Sequence, residues 1–132
     1  MRYRSGYKYQ LTQDTAATTE ITDHEVETPY IKLHIDGVIV ILEGYAWDGP
    51  SGPTIDTRSF MRGSLVHDAL YQLLREGHLP PAYRLEADRT LRKICRQDGM
   101  SRIRSTWVYL AVRAFGKLSA DPMRRKAELQ AP

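Results

Sequence analysis

Two hydrophobic periods divide this chain. In YIKLHID, residues 30–36, Ile31, Leu33 and Ile35 alternate with Lys32 and His34, and VIVILEGY comes directly after Asp36-Gly37. An Asp-Gly step between two β-rich runs predicts a hairpin. YKYQL near the N-terminus is a further strand candidate, whereas TQDTAATTE after it is too polar and small to pack. Residues 1–46 are therefore expected to form a three- or four-stranded antiparallel meander.

AWDGPSGPTIDT, residues 46–57, carries two Gly, two Pro and two Asp, and it separates the β part from the rest of the chain. Beyond it the period becomes helical. Phe60, Ser64, His67, Tyr71 and Leu74 keep helical spacing over a first helix near 58–76, with Gly77 as its C-terminal stop. A second helix near 81–98 places Leu85, Asp88, Leu91 and Cys95 on one stripe. Ser101 is a candidate cap for a third helix near 101–117, whose apolar stripe is Ile103, Trp107, Leu110, Ala111 and Ala114. The tail from Ser119 is expected to fray. The fold class that results is α+β, an antiparallel β region followed by three helices.

Composition narrows the picture. At 132 residues, 42% hydrophobic and 27% charged, the chain has the balance of one globular domain. The net charge of +3 favours anionic partners only mildly, and a nucleic-acid partner is not expected. Arg102, Arg104, Arg113, Lys117, Arg124, Arg125 and Lys126 can meet phosphates of lipid or nucleic acid, or form a solvated face. The single cysteine, Cys95, excludes an internal disulfide framework, suits a reducing compartment and reads as a small core residue. No apolar run approaches the roughly 20 residues of a membrane span. The start, MRYRSGYKYQ, lacks an apolar signal core, so a soluble cytoplasmic protein is expected.

The candidate chemistry lies in SLVHDALYQLLREG, residues 64–77, where His67 stands beside Asp68 and four residues before Tyr71. Neighbouring side chains on a helix point about 100° apart, so His67 and Asp68 serve different partners. Asp88 lies 21 residues after His67 on the next, antiparallel helix. It is placed to accept the Nδ1–H of His67 and leave Nε2 to take a proton from water. The other reading of His67 and Asp88 is a buried structural pair between helices, with Asp68 solvated and Tyr71 in the core. Trp47 is either a packing anchor or an interfacial contact, and Asp48 is also explained as the start of an Asp-Gly turn. His24, His34 and His78 have no ligand companions at metal-site spacing.

GPSGPTIDTRSFMRGSLVHDALYQLLREG, followed by a Pro-containing turn and EADRTL, resembles the catalytic core of phospholipase A2. The likeness is to the disulfide-free domain of parvoviral capsid proteins and to the short bacterial and fungal secreted forms. It implies that His67 is the base, that Asp68 binds calcium, that Tyr71 supports the site and that Asp88 orients His67. It also implies calcium donors in the loop at Trp47, Asp48, Gly49 and Gly52, and a phospholipid or membrane surface as partner. The loop departs from the phospholipase pattern, being only approximated by WDGPSGP, and Leu91 stands where an aromatic is usual. YAWDG, SGP, ID and HDALY also resemble an uncharacterised family of small phage and prophage proteins. That likeness implies a place in the host cell or the virion.

Three functions emerge as expectations. The first is a calcium-dependent, phospholipase A2-like ester hydrolase. The second is a non-enzymatic phage protein, a virion or tail component or an inhibitor of a host defence, whose partner is a host or phage protein. The third, a metal phosphohydrolase built on His-Asp, lacks the further helical histidines that it needs.

Overall fold

The computed structural model describes residues 1–4, 9–47 and 58–121, and the fold is α+β. Seven short strands are described: β1 (Tyr3–Arg4), β2 (Tyr9–Leu11), β3 (Thr15–Thr18), β4 (Val26–Glu27), β5 (Ile31–Leu33), β6 (Val38–Ile41) and β7 (Ala46–Trp47). Four helices come after them: α1 (Arg58–Arg75), α2 (Arg84–Gln97), α3 (Arg102–Phe115) and the single turn α4 (Lys117–Ala120). A 3₁₀ turn at Pro81–Tyr83 leads into α2, so the proline stands in the entry turn rather than in the α-helix.

The β region is antiparallel, as expected, but it forms two sheets instead of one meander. One runs β1-β2-β7 and the other β3-β6-β5-β4. The polar stretch judged too small to pack supplies β3, which pairs along β6 from Thr15 opposite Ile41 to Thr18 opposite Val38. Its alternation explains this. Thr15, Ala17, Thr19 and Ile21 turn inward, and the buried Thr19 hydroxyl donates to the Gly37 carbonyl at 2.8 Å.

The β5–β6 hairpin turns at Asp36-Gly37, as the dipeptide predicts, with Leu33 opposite Ile39. Ile31 and Leu33 are buried, but Ile35 is exposed. The strand ends at Leu33, so Ile35 falls in the turn and loses the alternation.

α1 lies at the centre and buries Phe60, Ser64, His67, Tyr71 and Leu74, the predicted stripe, along with most of its other positions. Only Arg58, Arg62, Asp68, Gln72 and Arg75 of this helix are not buried, so its polar side chains mark the sides that leave the core. It ends where Gly77 takes φ +80°, a left-handed conformation that glycine alone adopts without penalty, and the His78 N–H closes onto the Leu73 carbonyl at 2.8 Å. Arg62 of α1 grips Asp98 at the end of α2 with two hydrogen bonds, at 2.9 and 3.1 Å.

The third helix departs from expectation. Ser101 caps it, accepting from the Arg104 N–H at 3.1 Å. Its predicted apolar stripe nevertheless points to solvent, with Ile103, Trp107 and Leu110 exposed. The inward face is the weaker set Ser105, Val108 and Val112, against Phe60, Leu91, Cys95 and Met100. Beyond α3 the chain forms α4, where Ala120 is buried and the Ser119 carbonyl accepts from Arg75 at 2.9 Å, and the rest of the tail expected to fray lies outside the described residues. No helix among the described residues is long and apolar enough to cross a membrane.

Candidate active site

The helical phase of α1 and α2 brings His67, Tyr71 and Asp88 together. The 21-residue separation spans one helix, a turn and the start of the next, so the chain returns to the same height. His67 Nε2 lies 2.7 Å from Asp88 Oδ1, and the Tyr71 hydroxyl donates to that same oxygen at 2.6 Å. Because Tyr71 comes one helical turn after His67, their rings also pack against each other at a tilt, centroids 4.1 Å apart.

The nitrogen is the opposite of the one expected. An ionised carboxylate only accepts, so Nε2 carries the hydrogen and Nδ1 becomes the basic nitrogen of the neutral ring. The reason is geometric: the Cβ of a helical residue leans toward the N-terminus, and the ring reaches α2 through its far edge.

Asp88 is completely buried, and two arginines hold its other oxygen. Arg113 of α3 donates to Oδ2 at 2.9 Å, and Arg84, one turn before Asp88, stands 3.5 Å from it. Arg84 also donates to the Tyr71 hydroxyl at 3.3 Å and to the carbonyls of Val112 and Arg113 at 3.0 and 3.2 Å. Those carbonyls belong to the last turn of α3, where the Val112 carbonyl also accepts from the Gly116 N–H at 2.8 Å, so Arg84 ties α2 to the end of that helix. Burial pushes the Asp88 carboxyl upward, but the hydrogen bonds from His67, Tyr71 and Arg113 outweigh it and hold the group below the usual carboxylate range. Burial, and then the bond to Asp88, push the Tyr71 hydroxyl far above its ordinary value, so it remains a donor.

Sequence reasoning missed both arginines as site residues. Arg84 had a visible signal, the i,i+4 spacing to Asp88. Arg113 had none, because only the packing of α3 decides that it reaches Asp88. Gly116 was missed too. It approaches Tyr71 so closely that an added Cβ would stand 2.5 Å from the hydroxyl oxygen.

Asp68 is half-buried and lines a cavity of about 300 Å³ with Trp47, Tyr71, Gln72, Arg75 and Ser119. It stands about 100° round α1 from His67, and it shares this cavity with Tyr71. Trp47 is a packing anchor: its indole is buried, stacks near Tyr9 and donates to the Ser64 hydroxyl at 3.2 Å. Asp48, Gly49 and Gly52 lie outside the described residues, as do Arg124, Arg125 and Lys126.

A calcium ion takes roughly 6–8 oxygen donors, and Asp68 supplies a donor of the right chemistry. Among the described residues, however, no group of three or more His, Cys, Asp or Glu side chains converges on a metal position. Asp68 is the one described carboxylate of the expected set.

A second His–Asp–Tyr group lies at the surface. The Tyr83 hydroxyl donates to Asp23 at 2.5 Å, and His24 Nδ1 stands 2.9 Å from the same carboxylate. The hydrogen bonds of Tyr83 and His24 hold Asp23 below its ordinary value. The carboxylate of this second group, Asp23, is exposed, whereas Asp88 is buried.

The family described as Protein of unknown function (DUF1353) matches residues 24–112. The chain belongs to that family. The family match contains His67, Asp68, Tyr71, Arg84 and Asp88 and stops one residue short of Arg113. No curated protein and no solved structure matches the chain.

Proposed function

We propose that this member of the DUF1353 family is a hydrolase of phospholipid-type esters in which His67 is the general base. The observation that carries the reading is the shared oxygen of Asp88, which receives both His67 Nε2 and the Tyr71 hydroxyl. A ring held through Nε2 by a buried, ionised carboxylate presents Nδ1 as a proton acceptor and is stabilised once it becomes imidazolium.

In the reaction His67 Nδ1 takes a proton from water as the water oxygen attacks the ester carbonyl carbon. The acyl C–O bond then breaks, and the proton passes from His67 to the leaving alkoxide. Asp88 fixes the ring and offsets its positive charge, while Tyr71 keeps Asp88 from rotating. The phospholipase A2 likeness assigns calcium to Asp68 with Trp47, Asp48, Gly49 and Gly52, where the ion would supply Lewis-acid polarisation of the carbonyl.

A second reading has its own supporting observation. Asp88 is fully buried, receives hydrogen bonds from α1 and α3 and pairs with Arg84 of α2, which suits a clamp as well as it suits catalysis. On that reading the protein is a non-enzymatic phage protein that binds a host or phage partner.

The test is hydrolysis of a phospholipid ester by purified protein, with and without calcium, compared with His67→Ala. General-base catalysis contributes roughly 10²–10⁴-fold, so the variant is expected to lose at least that factor while still folding. Wild-type protein that hydrolyses no ester, with variants that lose only stability, would falsify the hydrolase and leave the clamp.

A further inference from the structure

α3 turns its stronger apolar stripe to solvent. On a helix of about 3.6 residues per turn, Ile103, Trp107, Leu110 and Ala114 fall within about 60° of arc. Ile103 and Trp107 are 75% and 72% exposed. Phe115 and Leu118 are also exposed and add apolar surface at the α3–α4 junction, with Phe115 about 80° round the helix from the edge of the strip. An unpartnered apolar strip of this kind on a helix surface marks an interaction site.

Charge identifies the occupant. From Arg102 to Ala120 the chain contains Arg102, Arg104, Arg113 and Lys117 and no acidic residue. Arg113 is engaged on Asp88, which leaves Arg102, Arg104 and Lys117 near the two ends of the strip. A second copy meeting this face across a twofold axis would set these cations against one another, with no carboxylate on either helix to answer them. An anionic lipid surface answers both features, taking the apolar side chains at the headgroup boundary and the cations on its phosphates.

We propose that α3 and α4 form an interfacial anchor that seats this protein on an anionic phospholipid surface. Trp107, Leu110 and Ile103 enter the boundary region, and Arg102, Arg104 and Lys117 lie against the headgroups. The inference is independent of hydrolysis at His67, because binding is measured without turnover. Where both hold, the placement has a use: α4 carries the exposed Leu118 and, at Ser119, a lining residue of the cavity beside Asp68.

The experiment is co-sedimentation of the full chain with vesicles of phosphatidylcholine, with or without phosphatidylglycerol. Partition into the anionic vesicles is expected, with little into phosphatidylcholine alone. Each cation near such a surface is worth about fivefold, so Arg102→Gln with Arg104→Gln should weaken partition by about 25-fold. Trp107→Gln with Leu110→Gln should weaken it by at least about tenfold through lost apolar burial. All four positions have their side chains at the surface or its edge, and unchanged melting temperatures will show that the variants fold. Wild-type protein left in the supernatant, or apolar variants that sediment like wild type, overturns the anchor. So does sedimentation velocity showing a dimer that Trp107→Gln with Leu110→Gln splits, since the strip then belongs to a second copy.

Discussion

Arg113 of α3 donates to Asp88 of α2 at 2.9 Å, on the carboxylate oxygen that His67 does not use. The third helix is thus joined electrostatically to the candidate site. Hydrogen bonds to charged groups are worth roughly 1.5–3 kcal/mol, and Arg113 keeps some solvent contact, so Arg113→Ala is expected to cost about 1–2 kcal/mol. The folded-state carboxyl of Asp88 is depressed, so its contribution is present above the ordinary carboxylate value of about 3.9 and is lost as pH falls through the folded value. Removing Arg113 raises that folded value. Acid unfolding followed by circular dichroism should therefore begin at higher pH in Arg113→Ala, and an unshifted acid limb would detach Arg113 from Asp88.

Substituting Asp88 itself separates charge from shape. Asp88→Asn keeps the volume but removes the charge that two arginines and His67 face, and a loss of about 3–5 kcal/mol is expected near neutral pH. The deficit against wild type should shrink as pH falls below the ordinary carboxylate value of about 3.9, because the unfolded chain then takes up a proton that folded Asp88 still resists. Urea unfolding at several pH values measures this directly. In ester hydrolysis Asp88→Asn should be milder than His67→Ala, because the base remains while its orienting carboxylate is gone.

Calcium binding can be tested without turnover. An ion that binds only the native state raises the melting temperature by mass action. Millimolar calcium is expected to raise it in wild-type protein and to leave Asp68→Asn unmoved. Equal shifts in the two proteins would place the ion elsewhere.

Gly116 fixes how closely the α3–α4 junction approaches the site. A Cβ there would stand 2.5 Å from the Tyr71 hydroxyl oxygen and 2.6 Å from the Val112 carbonyl oxygen. Gly116→Ala is expected to cost about 1–3 kcal/mol through displaced neighbours. Ester hydrolysis should fall as well if Tyr71 is pushed off Asp88. Thermal unfolding and the ester assay read the two effects separately.

Cys95 should be chemically silent. It is fully buried, and burial pushes its thiol up to about 12, with Asp98 adding to the effect. The thiolate is the reactive form. Thiol reagents at neutral pH are expected to label Cys95 only after denaturation, and rapid labelling of the native protein would contradict its place between α1 and α2.

Periodicity within single elements was written in the chain. The α1 stripe from Phe60 to Leu74, the Asp36-Gly37 hairpin and the Ser101 cap depend on neighbours a few residues away, so they are legible without a fold. The meeting of His67 with Asp88 was legible for the same reason, since two helices and a short turn fix their relative height. What tertiary structure decided was which of several adequate faces would be used. α3 has two: the Ile103–Trp107–Leu110 strip is the more apolar, yet Ser105, Val108 and Val112 pack inward. A small face permits close approach over Leu91 and Cys95, and that approach carries Arg113 to Asp88. β3 was hidden similarly, because Thr and Ala make a strand only when β6 lies alongside. The nitrogen that His67 offers to Asp88 depends on where α2 stands relative to the imidazole ring. Sequence spacing carries the height of that meeting but not its side. Only the packed helices determine it.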